Sequence, residues 1–221
     1  MEPVISILFE DQDVLAVNKP EGIASIPERS EDSQNLLGLL EKMYKEKLYI
    51  VHRLDKEVSG VILFARNARA HRTLNLQFSS REVRKTYMTL VHGVVERESG
   101  IIEKAIREFG SGRMGVDESR GKPSITTYRI EERLPNYTLL QVYPFTGRRH
   151  QIRVHMYSIG HPVVGDIRYG DKELQSNYPR LMLHAGEVDF SLISGERITL
   201  RASLPDSFNS VMDNIREGNL S

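Results

Sequence analysis

Short apolar stretches separated by tight polar turns dominate the chain, and helical periodicity is confined to a few segments. Val4–Phe9 and Val14–Val17 flank Asp11-Gln12-Asp13, a pattern that predicts a hairpin ended by Asn18-Lys19-Pro20-Glu21-Gly22. Leu36, Leu37, Leu40, Met43 and Tyr44 recur at helical spacing, so a helix is expected from a Ser33 cap to about Tyr44. Tyr49–Val51 and Val61–Ala65 read as strands around a polar loop, His52–Gly60. Asn67 is positioned to cap a helix over Ala68–Phe78. Thr86–Val91 and Ile101–Ile106 read as strands, and Gly110–Pro123 as loop.

Ser124–Glu132 and Thr138–Phe145 predict a second hairpin around Pro135-Asn136. His150–Ile159 reads as a short helix with Gly160 just past its end. Leu181–Phe190 and Arg197–Leu204 form a last hairpin across Ser194-Gly195, and Asp206 could cap a terminal helix. Strands joined by hairpins outnumber helices, which predicts an α+β protein with a largely antiparallel sheet. There is no internal repeat and no linker, so one domain over residues 1–221 is expected.

Composition narrows the chemistry. The chain has no cysteine, which excludes disulfides, thiolate nucleophiles and cysteine-bound metals. It has no tryptophan, so aromatic stacking falls to 9 Tyr and 7 Phe. Thirty basic and thirty acidic residues leave no net charge, whereas nucleic-acid binders are usually basic; the local distribution therefore matters more than the sum. The longest apolar run, Val61–Ala65, is far too short to span a bilayer, and the N-terminus shows no signal-peptide pattern. A soluble, cytoplasmic protein is expected.

Three segments concentrate polar chemistry. In His52-Arg53-Leu54-Asp55-Lys56-Glu57-Val58-Ser59-Gly60 a carboxylate sits among cations that would keep it ionised, as a nucleophile or base requires. The same residues fit an ordinary surface loop. In Thr146-Gly147-Arg148-Arg149-His150-Gln151-Ile152-Arg153 three arginines crowd a helix start, where the helix dipole disfavours cations. Phosphate oxygens could compensate them, and so could carboxylates elsewhere in the chain. Between Arg66 and His92 lie Arg66, Arg69, Arg72, Arg81, Arg84 and Lys85 against Glu82 alone, a local excess of five charges, with Tyr87 in the following strand. That pattern fits a nucleic-acid surface or a solvated helix face; its acidic counterweight, including Glu10, Asp11 and Asp13, is distant in sequence.

Two patterns mislead. Gly110-Ser111-Gly112-Arg113-Met114-Gly115 matches a dinucleotide fingerprint, but Gly121 and Pro123 leave no room for the helix it needs. His150, His155 and His161 suggest a metal, yet residues five apart on a helix point about 140° away from each other. No metal ligand set is expected.

The first two segments together resemble the RluA-type pseudouridine synthases. His52-Arg53-Leu54-Asp55 with Ser59-Gly60 is similar to that family's catalytic loop. Gly147-Arg148, His150-Gln151-Ile152-Arg153-Val154-His155-Met156 and Gly160-His161-Pro162 with Gly165-Asp166 and Tyr169-Gly170 resemble its second signature. Asn18-Lys19-Pro20 with Gly22, Lys85-Thr86-Tyr87, Gly121-Lys122-Pro123 and Leu183-His184-Ala185 follow in family order. The likeness runs from about residue 7 to 204. Val58 and Arg149 stand where the family pattern has threonine.

The resemblance implies a pseudouridine-synthase-like α+β fold, with a mixed, mostly antiparallel sheet and a central catalytic cleft flanked by helices and loops. It implies one catalytic domain without a separate N-terminal RNA-binding module. Uridine in ribosomal or transfer RNA would be isomerised to pseudouridine with no cofactor and no metal. Asp55 would attack C1′ of the sugar or C6 of the uracil, Tyr87 would lie against the base, and Arg153 would pair with the catalytic carboxylate. Arg53 would fill the space left by the flipped nucleotide. Arg66, Arg69, Arg72, Arg84, Lys85, Arg148, Arg149, His150 and Gln151 would contact RNA. A monomer without an obligatory protein partner or membrane is expected. A binder that keeps the fold without catalysis is the alternative; a metal-dependent phosphoesterase would need a His/Asp cluster that is not visible.

Overall fold

The computed structural model describes residues 5–27 and 34–219, which form two compact units. The first holds the chain up to Lys85 together with His184–Ser203; the second holds Thr86–Leu183 and the chain from Leu204 onward.

In the first unit, β1 (Ser6–Glu10) and β2 (Val14–Lys19) form the expected N-terminal hairpin. β2 pairs antiparallel with β4 (Ser59–Ala65), and β4 also takes the two-residue β3 (Tyr49–Ile50). β11 (Leu183–Ser191) joins β4 in parallel and carries β12 (Arg197–Arg201) antiparallel. Val14 to Val17 and Val61 to Ala65 are wholly buried, as continuous apolar runs covered on both faces should be. Helix α1 (Leu36–Tyr44) is capped by Asn35, whose side chain accepts from the Gly38 N–H. The expected Ser33 cap lies outside the described residues. Helix α2 (Ala68–Ser79) starts at the expected Asn67 cap and turns Ala70, Leu74 and Gln77 inward. These pack with Val14, Ala16, Leu63, Val188 and Phe190 in one apolar core.

The second unit is built on β5 (Arg84–His92), β10 (Tyr137–Pro144), β9 (Ile125–Leu134) and β6 (Ser99–Glu103), each antiparallel to the next. The β9–β10 turn is the expected Pro135-Asn136, with Asn136 in the left-handed region at φ 61°. The expected strand Ile101–Ile106 is broken at Lys104: β6 ends there and β7 (Ile106–Glu108) begins a separate ribbon with β8 (Met114–Val116). Gly110–Pro123 is therefore not all loop. The glycine-rich decoy is the turn of this ribbon, with Gly112 at φ 74° and its N–H donated to the Phe109 carbonyl.

Helix α3 (Gln151–Ser158) packs Val154 against Ile106, Met114 and Tyr169. A four-residue helix, α4 (Lys172–Gln175), was not expected from the sequence. Helix α5 (Asp206–Arg216) begins one residue past a Pro205 cap, so Asp206 is its first helical residue and not its cap. Its Phe208, Val211, Met212 and Ile215 form an i, i+3, i+4, i+7 stripe buried with Leu90, Tyr137 and Met182. The α+β class with mostly antiparallel strands is as the sequence predicts. No described helix is long and apolar enough to cross a membrane.

Candidate active site

In the first unit, residues 51–58 link β3 to β4 and carry Arg53 and Asp55. Arg53 is exposed and Asp55 half-buried. Buried polar contacts fix this loop at three places. Before Asp55, the Ser25 hydroxyl donates to the Leu54 carbonyl at 2.8 Å and accepts from the Leu54 N–H at 3.1 Å. After Asp55, the fully buried Lys19 ammonium donates to the carbonyls of Pro20, Ile23 and Lys56, at 2.9, 2.8 and 3.1 Å. The Gly22 N–H reaches the same Lys56 carbonyl at 2.9 Å.

At the loop's end, the buried Ser59 hydroxyl meets His184 Nδ1 at 2.8 Å. Gly60 follows at φ 118°, where a Cβ would stand 2.2 Å from the Ala185 carbonyl oxygen; only glycine lets the two backbones approach so closely. The Asp55 carbonyl accepts from the Val58 N–H, closing a tight turn. A carboxylate on such a scaffold has little backbone freedom left to lose when a substrate arrives.

His52 starts the loop. Its Nε2 accepts the Leu63 N–H at 3.0 Å, and its ring stacks on Phe78 at 4.8 Å. Burial, aided by the positive charge of Lys85, pushes the His52 pKa down to about 3. The ring is neutral at physiological pH and acts as an acceptor, not as a cation.

The expected basic face on α2 is only partly free. Arg69 and Arg72 are exposed on α2, and Arg84 at the start of β5. Arg66 is spoken for: it donates to Glu46 at 2.7 Å, to Glu10 at 2.8 Å and to the Asp11 carbonyl at 2.7 Å. The acidic counterweight that is remote in sequence is thus folded against it, because the β1–β2 hairpin delivers Glu10 and Asp11 to the end of β4.

In the second unit, Tyr87 is half-buried on β5, opposite Val142 of β10. Arg148 and Arg149 precede α3 and only Arg153 lies within it, so the expected crowding of three arginines in the helix start is relieved. His150 is the helix cap in the left-handed region, at φ 55°. Its Nδ1 is 2.7 Å from the Tyr169 hydroxyl, which also receives the Met114 N–H at 3.3 Å.

Gln151 is buried and engaged at both ends. Its carbonyl oxygen accepts from Thr146 and the Arg148 N–H, and its amide donates to the Ile125 carbonyl and to Thr126. Gln151 thereby ties the loop before α3 to β9.

Arg153 forms a buried two-pronged pair with Asp166, Nε to one oxygen at 2.7 Å and Nη2 to the other at 2.8 Å. One of those oxygens also accepts the N–H groups of Arg168 and Tyr169. Asp166 belongs to the second signature, yet its partnership with Arg153 is not readable from the 13 residues between them. Arg149 makes an exposed pair with Glu108 at 3.3 Å. The other histidines have separate partners: His155 meets Thr126 and the Lys104 carbonyl, and His161 the His92 carbonyl. Among the described residues no three metal-ligating side chains gather.

Comparison with known proteins places this arrangement. The family model for RNA pseudouridylate synthase matches residues 13–158. The dual-specificity RNA pseudouridine synthase RluA of Vibrio vulnificus is 40% identical over 197 residues, covering 86% of this chain and 78% of that one. Ribosomal large subunit pseudouridine synthase C of Haemophilus influenzae is 37% identical over 222 residues, covering 96% and 69%. Human RNA pseudouridylate synthase domain containing 1 superposes with a TM-score of 0.80 at 30% identity, covering 95% and 90%. The chain belongs to the RNA pseudouridylate synthase family. Its RluA-type relatives are those that the two signature segments imply.

Proposed function

We propose that this chain isomerises uridine to pseudouridine in ribosomal or transfer RNA, with Asp55 as nucleophile. The observation that carries the reading, beside family membership, is the loop itself: Asp55 is flanked on both sides by buried polar anchors. Such fixing is what nucleophilic attack on one atom of a flipped nucleotide demands. Asp55 attacks C1′ of the sugar or C6 of the base, the glycosidic bond breaks, the uracil turns and C5 bonds to C1′, and the bond to Asp55 is released while N1 takes up a proton. The hydrogen at C5 leaves as a proton. One carbon–nitrogen bond is exchanged for a carbon–carbon bond within the nucleotide, so the step balances without a redox partner.

Tyr87 lies against the uracil, and Arg153 steadies the catalytic carboxylate, its guanidinium already oriented by Asp166. Arg53, exposed two residues before Asp55, takes the place of the extruded base. Arg69, Arg72, Arg84, Lys85, Arg148, Arg149 and His150 contact the RNA backbone. The protein acts as a cytoplasmic monomer, as one catalytic domain, and needs neither cofactor nor protein partner. Incubation with RNA tritiated at uridine C5 tests the reading: release of the label without strand cleavage supports isomerisation. RNA binding with no release would make the chain a binder only, and cleavage would make it a phosphoesterase.

A further inference from the structure

Tyr169, three residues after Asp166, is buried, and it contacts both Arg153 and His150. Its N–H donates at 3.2 Å to an oxygen of Asp166, the carboxylate that holds the Arg153 guanidinium. Its ring packs with Ile106, Met114 and Val154, and the ring centroid lies 5.3 Å from the Arg153 guanidinium carbon. A guanidinium that close to a tyrosine ring is attracted by the ring's quadrupole. Arg153 is therefore held twice, by the Asp166 oxygens and by this ring. The hydroxyl has other partners. It stands 2.7 Å from His150 Nδ1 and receives the Met114 N–H at 3.3 Å. His150 caps α3 at φ 55°, a conformation that a residue other than glycine keeps where its surroundings hold it. Satisfying Met114 alone would explain a buried hydroxyl, but that contact is the longer of the two. The shorter one goes to the strained, half-buried histidine.

We propose that Tyr169 is a positioning residue of the isomerisation: its hydroxyl fixes His150 for RNA, and its ring fixes Arg153 for the chemistry. The proposal rests on the RNA-modifying reading, in which His150 contacts RNA and Arg153 steadies the catalytic carboxylate. Tyr169 itself touches no substrate. The two ends of one side chain carry separable effects. Loss of the hydroxyl falls on affinity, and loss of the ring falls on turnover. A tyrosine that merely filled the core would show no such division, because any loss of packing would lower stability without sorting binding from chemistry.

Tyr169→Phe and Tyr169→Leu test this, each assayed well below its own unfolding midpoint. Affinity is measured for a stem-loop RNA with uridines in its loop, in an Asp55→Asn background so that the RNA is not turned over. Turnover is tritium release with Asp55 intact. Tyr169→Phe keeps the ring and should weaken RNA affinity about three- to tenfold, the share of one lost hydrogen bond, while kcat falls only about twofold. Tyr169→Leu should lose the same affinity and, in addition, at least about tenfold in kcat, because Arg153 is no longer held in place. His150→Gly supplies the control, since glycine accepts φ 55° and has no ring. In that background most of the affinity loss of Tyr169→Phe should vanish. Unchanged affinity in Tyr169→Phe, or an equal loss with and without His150, overturns the proposal, and so does equal kcat in the two Tyr169 variants. Tyr169→Phe and its His150→Gly control decide the matter even if Tyr169→Leu does not fold. The underlying reading is judged on the unmodified protein. If that protein releases tritium while the Tyr169 variants show no division, only the positioning role is lost. If it neither binds RNA nor releases tritium, the RNA-modifying reading falls as well.

Discussion

Ser59 and His184, 125 residues apart in sequence, meet in the interior with Oγ 2.8 Å from Nδ1. His184 Nε2 lies 3.1 Å from the Ala202 carbonyl oxygen, which can only accept, so Nε2 holds a hydrogen. In the neutral ring Nδ1 is then the acceptor and Ser59 the donor. The bond ties the end of the Asp55 loop to β11, where Ser59 and His184 are also register partners. Ser59→Ala leaves a buried imidazole nitrogen without this donor and should cost about 1–3 kcal/mol. The denaturant midpoint should fall, and turnover should fall more than the KM for RNA rises. An unchanged midpoint would show that the contact carries no weight.

The Arg153–Asp166 pair makes a second demand. Both side chains are almost fully buried, at 4% and 0% exposure, so removing one partner strands the other's charge. Asp166→Ala should destabilise the protein by about 3–5 kcal/mol and, by releasing the guanidinium, reduce isomerisation as well. Asp166→Asn keeps the shape and should recover part of both losses. Full activity in Asp166→Ala, measured well below its unfolding midpoint, would contradict a positioning role for this carboxylate.

Hairpin turns and one helix cap, Asn67, were readable in the sequence, whereas the expected Asp206 cap is displaced by Pro205. Asn67 opens α2 and Pro135-Asn136 turns β9 into β10 because capping and turn preferences act over a few residues. The β7–β8 ribbon and α4 were not readable. The ribbon is short and glycine-rich and is held by packing with Val154 and Tyr169, whereas α4 is a single turn capped by Asp171, whose Gln175 side chain accepts the Gly165 N–H. The same division runs through the site. The two motif segments were visible as a family resemblance, whereas the contacts that fix them join residues far apart: Ser25 to Leu54, Lys19 to Lys56, Ser59 to His184. Arg66 misled for that reason, since its carboxylate partners lie 20 and 56 positions away.

Acid should weaken the fold in a defined window. His52, His92 and His155 all have pKa values held below the ordinary histidine value of 6.5, chiefly by burial. The unfolded chain therefore binds protons that the folded one refuses. Stability from these neutral rings is complete above pH 6.5 and is lost as pH falls through their lowered values, for His52 down to about 3. Each ring contributes at most about 1.4 kcal/mol per pH unit. Denaturant midpoints from pH 7.5 to 4 should drop below pH 6.5, less steeply in His52→Gln. A flat profile over that range would contradict the neutral, buried state of these rings.

Arg149 and Glu108 are both exposed, and a pair of that kind is worth about 0–1 kcal/mol. A phosphate can therefore displace Glu108. Arg149→Thr should reduce the dependence of log RNA affinity on log salt by about 0.7–0.9, and Glu108→Gln should raise RNA affinity. Slopes that stay parallel for Arg149→Thr would remove Arg149 from the RNA surface.

The central claim is that Asp55 is the nucleophile of a uridine isomerase. Asp55→Asn nearly preserves shape and leaves the anchors at Leu54, Lys56 and Ser59 in place, but an amide is a very weak nucleophile. The decisive measurement is tritium release from C5-labelled uridine in RNA by the unmodified protein and by Asp55→Asn, at RNA concentrations where both are shown to bind. The account predicts release by the unmodified protein and none above background by the variant, with RNA affinities within a few fold. Appreciable release by Asp55→Asn would contradict it.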